Sequence, residues 1–396
     1  MTTKLTKLFV DFFESERASG IILILCTVIS IAITNSYFGK GYSDFWHIKI
    51  GLETGNAIFL KYNLEQWIND GLMAIFFLLI GLEIERELYV GELSNLKNAS
   101  LPIIAAIGGM ITPALLHFLF NRGTETQAGL GIPVATDIAF ALGALALLGN
   151  RIPLSLKIFL AALAIIDDLG AIFVIALFYV GDFSLLYFLM ALGIFAALLI
   201  LNRLGIHRLP FYLIPGFFMW YFMLKSGIHA TVAGVLLAFA IPFASGDEES
   251  PSYKLQHFLH KPVAFFIMPL FALANTGIIL SGDWIEGLAT SNSLGIFAGL
   301  FFGKPLGIVL FSVLAVKLGL SQLPNDISWK HIIGAGFLGG IGFTMSIFIS
   351  LLAFGNHDLV QSSKISILLS SFLAGTVGFL ILNRQTAYIN GHNPLP

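Results

Sequence analysis

The stretch Ala161-Ala162-Leu163-Ala164-Ile165-Ile166-Asp167-Asp168-Leu169-Gly170-Ala171-Ile172 places two adjacent carboxylates midway along an apolar run from Leu154 to Tyr179. A helix of that length crosses the ~30 Å hydrocarbon core of a bilayer. At that depth one ionised aspartate costs about 2.5–3.5 kcal/mol, and a pair on the order of 5–7 kcal/mol before the charges repel. So expensive a pair marks a site that handles protons or a cation, and the rest of the chain is read outward from it.

Of the 396 residues, 57% are hydrophobic and only 11% charged. Soluble domains carry about 25% charge, so this is a polytopic membrane protein. The net charge of −2 and the lack of a basic block exclude a nucleic-acid binder. One cysteine, Cys26, excludes an internal disulfide and a thiolate metal cluster. No small-residue cleavage site follows the charged stretch up to Arg17, so the first apolar run reads as a retained span.

Twelve apolar stretches read as transmembrane spans, at 16–34, 66–88, 99–120, 127–148, 154–179, 184–202, 209–223, 227–243, 258–280, 294–315, 331–353 and 362–383. The expected fold is therefore an all-α, twelve-span membrane domain covering 1–396. With the N-terminus in the cytoplasm, fourteen Lys and Arg fall inside and six outside, with Lys304 left in mid-membrane. The positive-inside rule then puts both termini in the cytoplasm. Residues 45–60, with Glu53-Thr54-Gly55-Asn56 between His47–Leu52 and Ala57–Leu60, read as a small outside β-hairpin. A lone hairpin is marginal in water, so a second copy of itself is a natural partner. Ser245 to Lys261 reads as a polar cytoplasmic loop.

Three spans carry ionisable groups at their centres: Asp137, the Asp167-Asp168 pair, and Lys304. Snorkelling cannot rescue a mid-span charge, so these groups face one another or a wet cavity. Adjacent helical residues point about 100° apart, so one aspartate of the pair meets Lys304 and the other lines a water-filled funnel. The pair titrates as a dyad, and its oxygens suit a proton or a small hard cation rather than a soft metal.

Two spans are also interrupted. Gly131-Ile132-Pro133-Val134-Ala135-Thr136-Asp137 breaks the fourth, and Gly336, Gly339, Gly340 and Gly342, followed by Thr344 and Ser346, break the eleventh. Broken helices at bilayer depth line a cavity or lie buried, and their ends offer dipoles and carbonyls to ions; Asp137 is placed to neutralise facing N-termini. Spans four and eleven run in opposite directions, so spans 3–5 (99–179) and 10–12 (294–383) read as inverted-topology repeats. A second titratable set, Glu83, Glu85 and Glu87 with His229, His257 and His260, lies at the cytoplasmic edge, where histidines respond between pH 5 and 8.

Four ordered motifs make the chain resemble the NhaA-type sodium/proton antiporters from about Ser19 to Asn383. They are Ala135-Thr136-Asp137-Ile138-Ala139-Phe140-Ala141-Leu142-Gly143, Leu163 to Ile172, Gly303-Lys304-Pro305-Leu306-Gly307, and Gly340-Ile341-Gly342-Phe343-Thr344-Met345-Ser346-Ile347. The resemblance implies a bacterial inner-membrane antiporter that exports Na⁺ or Li⁺ against entering protons, electrogenic and pH-regulated, with no resident cofactor. It assigns cation and proton binding to Asp168, Asp167 and Thr136, and charge compensation to Asp137 and Lys304. It gives pH sensing to Glu83, Glu87, His229, His257 and His260, and dimerisation to the hairpin. Two residues depart from the family pattern: Gln256 stands where a glutamate is expected, and Glu85 where a basic residue is expected.

Enzyme readings fit less well. Intramembrane aspartyl proteases place their acids on separate helices in a Gly-x-Gly-Asp setting, absent here. Prenyltransferases need basic groups around their aspartates to hold a diphosphate, and few stand near Asp167. Three acids and one base at one depth also favour a cation over an organic anion, and titratable pairs suit coupling rather than a passive channel.

Overall fold

The computed structural model describes residues 2–54, 58–244, 246–280 and 284–391. In chain order these form α1 (Thr2–Thr34), α2 (Gly39–Trp46), β1 (Lys49–Thr54), β2 (Ile58–Asn63) and α3 (Leu64–Tyr89). There follow α4 (Leu96–Asn121), α5 (Ile138–Ala146), α6 (Leu154–Phe178), α7 (Leu185–Arg203), α8 (Pro210–Ser226) and α9 (Thr231–Ala240). The chain continues with α10 (Pro251–Asn275), α11 (Ser291–Lys317), α12 (Trp329–Gly339), α13 (Phe343–Ala353) and α14 (His357–Gly391). Among the described residues seven helices are long and apolar enough to cross a membrane, or nine if the bent pairs α1–α2 and α12–α13 each count as one span. The expected stretches 127–148, 209–223 and 227–243 instead hold the shorter helices α5, α8 and α9.

Two helices widen into π turns shortly before a proline. Pro305 has no N–H to return to the preceding turn, and the helix opens into a π turn over Ala298–Gly303 just before it. Pro269 follows a π turn at Val263–Ile267 in the same way. Between α12 and α13 the chain bends by 44° at Gly340–Gly342. Ahead of α5 only a 3₁₀ segment, Glu125–Gly131, precedes the non-helical residues that lead to Asp137.

Two expectations need correction. The polar stretch Ser245–Lys261 is not a loop: from Pro251 it is helical and continues unbroken into the apolar part of α10. Ser250 caps it, accepting from the Tyr253 N–H at 3.2 Å, and Pro251 sits at the first turn, where its missing N–H is harmless. The hairpin is also shifted along the chain, running over 49–63 where 45–60 was expected. Its strands pair antiparallel from Lys49↔Asn63 to Thr54↔Ile58, so Glu53 and Thr54 belong to β1 rather than to the turn. Gly55, Asn56 and Ala57 lie outside the described residues.

The helices gather into two compact units. The first takes the described residues of Met1–Ile21, Gly91–Val174 and Ser281–Pro396; the second takes those of Ile22–Val90 and Ile175–Leu280. In the first unit α4 and α11 pack antiparallel: Asn121 reaches the Ser291 carbonyl, Pro113 faces Gly303, and Gly108 faces Gly307. Contact is close because glycine lets the backbones touch; a Cβ on Gly307 would lie 2.1 Å from the Gly108 carbonyl oxygen. In the second unit α3 and α9 run parallel, with Gly234 against Ala74 and Gly81 against Ala238. Asn69 and Asn275 exchange amide hydrogen bonds of 3.1 and 2.8 Å there, tying α3 to α10.

The seam makes a stability prediction. Gly307→Ala should destabilise the protein by about 1–3 kcal/mol through overpacking against backbone that cannot give way. Gly193→Ala in α7, where a Cβ meets open space, should stabilise it by about 0.5–1 kcal/mol. Thermal unfolding in detergent separates the two, and equal effects would refute the assignment of the seam.

Candidate functional site

All the mid-membrane charges belong to the first unit and all are buried. Lys304 and Asp167 are 0% exposed, Asp168 1% and Asp137 2%. α6 carries the aspartate pair, the π turn in α11 delivers Lys304, and the two chain breaks bring in backbone groups. Lys304 Nζ lies 2.7 Å from Asp167 Oδ2 and also donates to the Val134 carbonyl. Thr136 Oγ1 lies 2.7 Å from the same Asp167 oxygen and 2.8 Å from the Gly339 carbonyl. A hydroxyl has one proton to donate, so Thr136 serves one of these two acceptors at a time.

The ammonium therefore sits against the Asp167 carboxylate and the Val134 carbonyl, and Thr136 links that carboxylate to the Gly339 carbonyl of the second broken segment. A buried lysine demands such surroundings, because leaving water costs several kcal/mol that only close opposite charge and donated hydrogen bonds offset. Asp167 Oδ1 has no hydrogen-bond partner among the described residues. Asp168, at 1% exposed, does not open onto a wet funnel in this conformation.

Asp137 does different work. Its Oδ1 accepts from the Phe140 N–H at 3.2 Å, capping α5, and its Oδ2 accepts from the Thr344 N–H at 3.0 Å, near the start of α13. The Thr344 hydroxyl donates to Oδ2 as well. Each helix N-terminus carries roughly half a positive charge, so one carboxylate balances two of them. The Asp137 N–H in turn donates to the Ile341 carbonyl at 2.7 Å, and Ser346 Oγ to the Ile132 carbonyl at 2.7 Å, so the two breaks are laced together.

Sequence reasoning brought out the four charged residues, Thr136 and the two breaks. It did not single out the carbonyls of Val134 and Gly339 as partners, nor the Thr344 side chain as the second clamp on Asp137. The signal for the carbonyls was present, because Gly-x-Pro and the Gly339–Gly342 run release backbone groups from helical bonding.

Glu83, Glu85, Glu87, His229, His257 and His260 belong to the second unit. Arg86 lies over the Tyr253 ring at 5.7 Å, and that ring stacks on His257 at 4.9 Å. His229 stands just before α9, and His260 lies one turn beyond His257 on α10. Among the described residues no group of three or more His, Cys, Asp or Glu is placed to hold a metal ion; the oxygens around Lys304 are instead a mixed set of carboxylate, hydroxyl and carbonyl.

The family model described as Na+/H+ antiporter 1 matches residues 10–382. The chain is 62% identical over 379 residues to the Na(+)/H(+) antiporter NhaA of Flavobacterium psychrophilum, covering 96% of each protein. It is 60% identical over 385 residues to that of Dechloromonas aromatica, covering 96% of this chain and 97% of the relative. Against the Salmonella typhimurium protein of the same name it is 50% identical over 372 residues, covering 93% of this chain and 96% of the relative. A buried acid pair, a mid-membrane lysine and two broken segments thus meet a family match across nearly the whole chain: it belongs to the NhaA Na⁺/H⁺ antiporter family, whose members are membrane transporters and not enzymes.

Proposed function

We propose that this chain exports Na⁺, or Li⁺, in exchange for protons across the bacterial inner membrane, by alternating access at the Asp167-Asp168 pair. One observation carries the reading: a monovalent cation, the Lys304 ammonium, already occupies a dry site made of Asp167 Oδ2 and the Val134 carbonyl, with Thr136 beside it. A sodium ion offered the same oxygens competes with the ammonium. Binding of Na⁺ by Asp167, Asp168 and Thr136 then requires the pair to be deprotonated and the Lys304 contact to open. Protons returning from the other side restore the pair and expel the ion. If two protons cross per cation, each cycle moves net charge and the membrane potential drives it.

In this reading Asp137 holds the two breaks in register while the site changes hands, and Lys304 compensates the charge of the empty site. The single domain has twelve spans with both termini cytoplasmic. Its inverted repeats are 99–179 and 294–383, a reading supported by the antiparallel packing of α4 and α11. The hairpin pairs with that of a second copy, consistent with the marginal stability of two strands alone. Glu83, Glu87, His229, His257 and His260 set the pH dependence.

Exchange in proteoliposomes tests this. With a pH gradient imposed, Na⁺ or Li⁺ should collapse it, and Asp168→Asn should weaken Na⁺ half-saturation by tenfold or more, about the 1.5–3 kcal/mol of one charge-assisted contact. Undiminished exchange by that variant would remove Asp168 from the site. Lys304→Ala leaves Asp167 buried without its counter-charge and should lower stability by about 3–5 kcal/mol, part of which Asp167→Asn in the same chain restores. Thermal unfolding of the single and double variants reads this, and strictly additive losses would show that the two residues do not interact.

A further inference from the structure

Asn121, the last residue of α4, is 0% exposed and uses every hydrogen-bonding atom of its side chain away from the ion site. Its amide nitrogen donates to the His117 carbonyl at 2.9 Å and to the carbonyl of Ser291, the first residue of α11, at 3.2 Å. Its Oδ1 accepts from Thr126 Oγ1 at 2.6 Å. Its backbone carbonyl accepts from the Thr124 N–H at 3.1 Å and from Thr124 Oγ1 at 2.7 Å. One buried residue of the first unit thus joins α4, α11 and the 3₁₀ segment Glu125–Gly131 that leads into the broken fourth stretch.

His117, one turn earlier on α4, braces the same segment. A Cβ on Gly129 would lie 3.1 Å from its Cε1, and one on Gly295 of α11 3.0 Å from its Cδ2, so the ring fills the wedge between the two. His117 Nε2 lies 3.3 Å from Asn292 Oδ1, and Asn292 Nδ2 donates to Ser363 Oγ at 2.8 Å. Bonded turns then carry the constraint toward the site. The Ile132 N–H donates to the Gly129 carbonyl at 2.9 Å, and the Val134 N–H to the Gly131 carbonyl at 3.1 Å.

The clasp matters because of where its two arms end. One arm presents the Val134 carbonyl to Lys304 and the Thr136 hydroxyl to Asp167; the other is α11, which carries Lys304 itself. The ties from Ser346 to Ile132 and from Asp137 to Ile341 join the segment to the other break. The ties from Lys304 to Val134 and from Thr136 to Asp167 are the contacts that an arriving ion rearranges. The Asn121 clasp belongs to neither set, so it can hold the segment against α11 while the site changes hands. Selectivity between hard cations is a matter of cavity size, ligand number and flexibility, and the clasp bears on the first and the last.

We propose that Asn121 is a positioning residue of the ion site: by tying Thr126 to the start of α11 it sets the Val134 and Thr136 oxygens against Lys304, and with them the preference between Na⁺ and Li⁺. The effect on ions rests on the antiporter reading; the positioning itself does not.

Thr126→Val removes the hydroxyl at nearly constant volume. Thr124→Val, at an exposed position, loosens the same corner without entering the core, so the proposal stays testable if the first variant does not fold. Amide hydrogen exchange reads the positioning directly. The Ile132, Val134 and Asp137 amides should exchange about fivefold faster or more in either variant, the size of one neutral hydrogen bond, and Thr126→Ser should return the wild-type rates. Ser30→Ala removes a buried hydroxyl bond of 2.8 Å in the second unit and should leave these amides alone. Unchanged protection in both valine variants, or an equal loss in Ser30→Ala, would overturn the positioning. In proteoliposomes, half-saturating Na⁺ should rise about fivefold in Thr126→Val with the maximal rate held within about twofold, and the Na⁺ to Li⁺ ratio of half-saturation should shift by about threefold or more. A lower maximal rate with both half-saturations unchanged is the mark of a purely structural bond and would overturn the selectivity role. No exchange by the wild type would overturn the antiporter reading instead, and the amide rates would still decide the positioning.

Discussion

The first unit is built around a charge that has no business in a membrane. Lys304 and Asp167 are both fully buried and 2.7 Å apart. Their mutual attraction does not by itself offset the removal of two charges from water. The remainder has to come from donated and accepted hydrogen bonds, and an unbroken helix has none to spare because its carbonyls are bonded along its own axis. Breaking two segments at the level of the pair supplies them. The Val134 carbonyl goes to Lys304 and the Gly339 carbonyl to Thr136.

Those breaks create a second electrostatic demand. α5 and α13 both begin inside the unit, and each N-terminus presents unsatisfied N–H groups and a partial positive charge. Asp137 answers both with its two oxygens. Replacing it with a neutral cap would satisfy hydrogen bonds but leave the two dipole ends facing each other. The residue pair Thr136-Asp137 thus divides its labour: the hydroxyl turns to Asp167, the carboxylate to the helix ends.

Most of this was legible in the sequence because bilayer depth amplifies the penalty on a charge. Asp137, Asp167, Asp168 and Lys304 stand out against apolar surroundings, and Gly131–Pro133 and Gly339–Gly342 interrupt otherwise continuous spans. Less legible were features decided by partner rather than by type. That Asp167 and not Asp168 meets Lys304 depends on helix rotation, which a 100° step leaves open between neighbours. The helical start at Pro251 was hidden because Ser245–Lys261 is mostly polar, with only Leu255, Phe258 and Leu259 as large aliphatic or phenyl side chains, and a polar helix with one capped end reads as a loop until something packs against it. Glu85 looked like one of three equivalent rim acids; only its burial separates it from Glu83 and Glu87.

The site is also incompletely satisfied, and on the antiporter reading it has to be. Asp167 Oδ1 makes no hydrogen bond among the described residues, and Thr136 has one proton for two acceptors. A fully saturated network would hold Lys304 too firmly to be displaced. With the carboxylate ionised, the Thr136 hydroxyl serves Asp167. With that oxygen protonated, the carboxyl becomes the donor and Thr136 can turn its proton to the Gly339 carbonyl, 2.8 Å away. The hydroxyl thus has two arrangements, one for each protonation state of its neighbour. The second ties it to the end of α12, so a proton on Asp167 is felt at the break in the opposite segment, where the chain is free to bend.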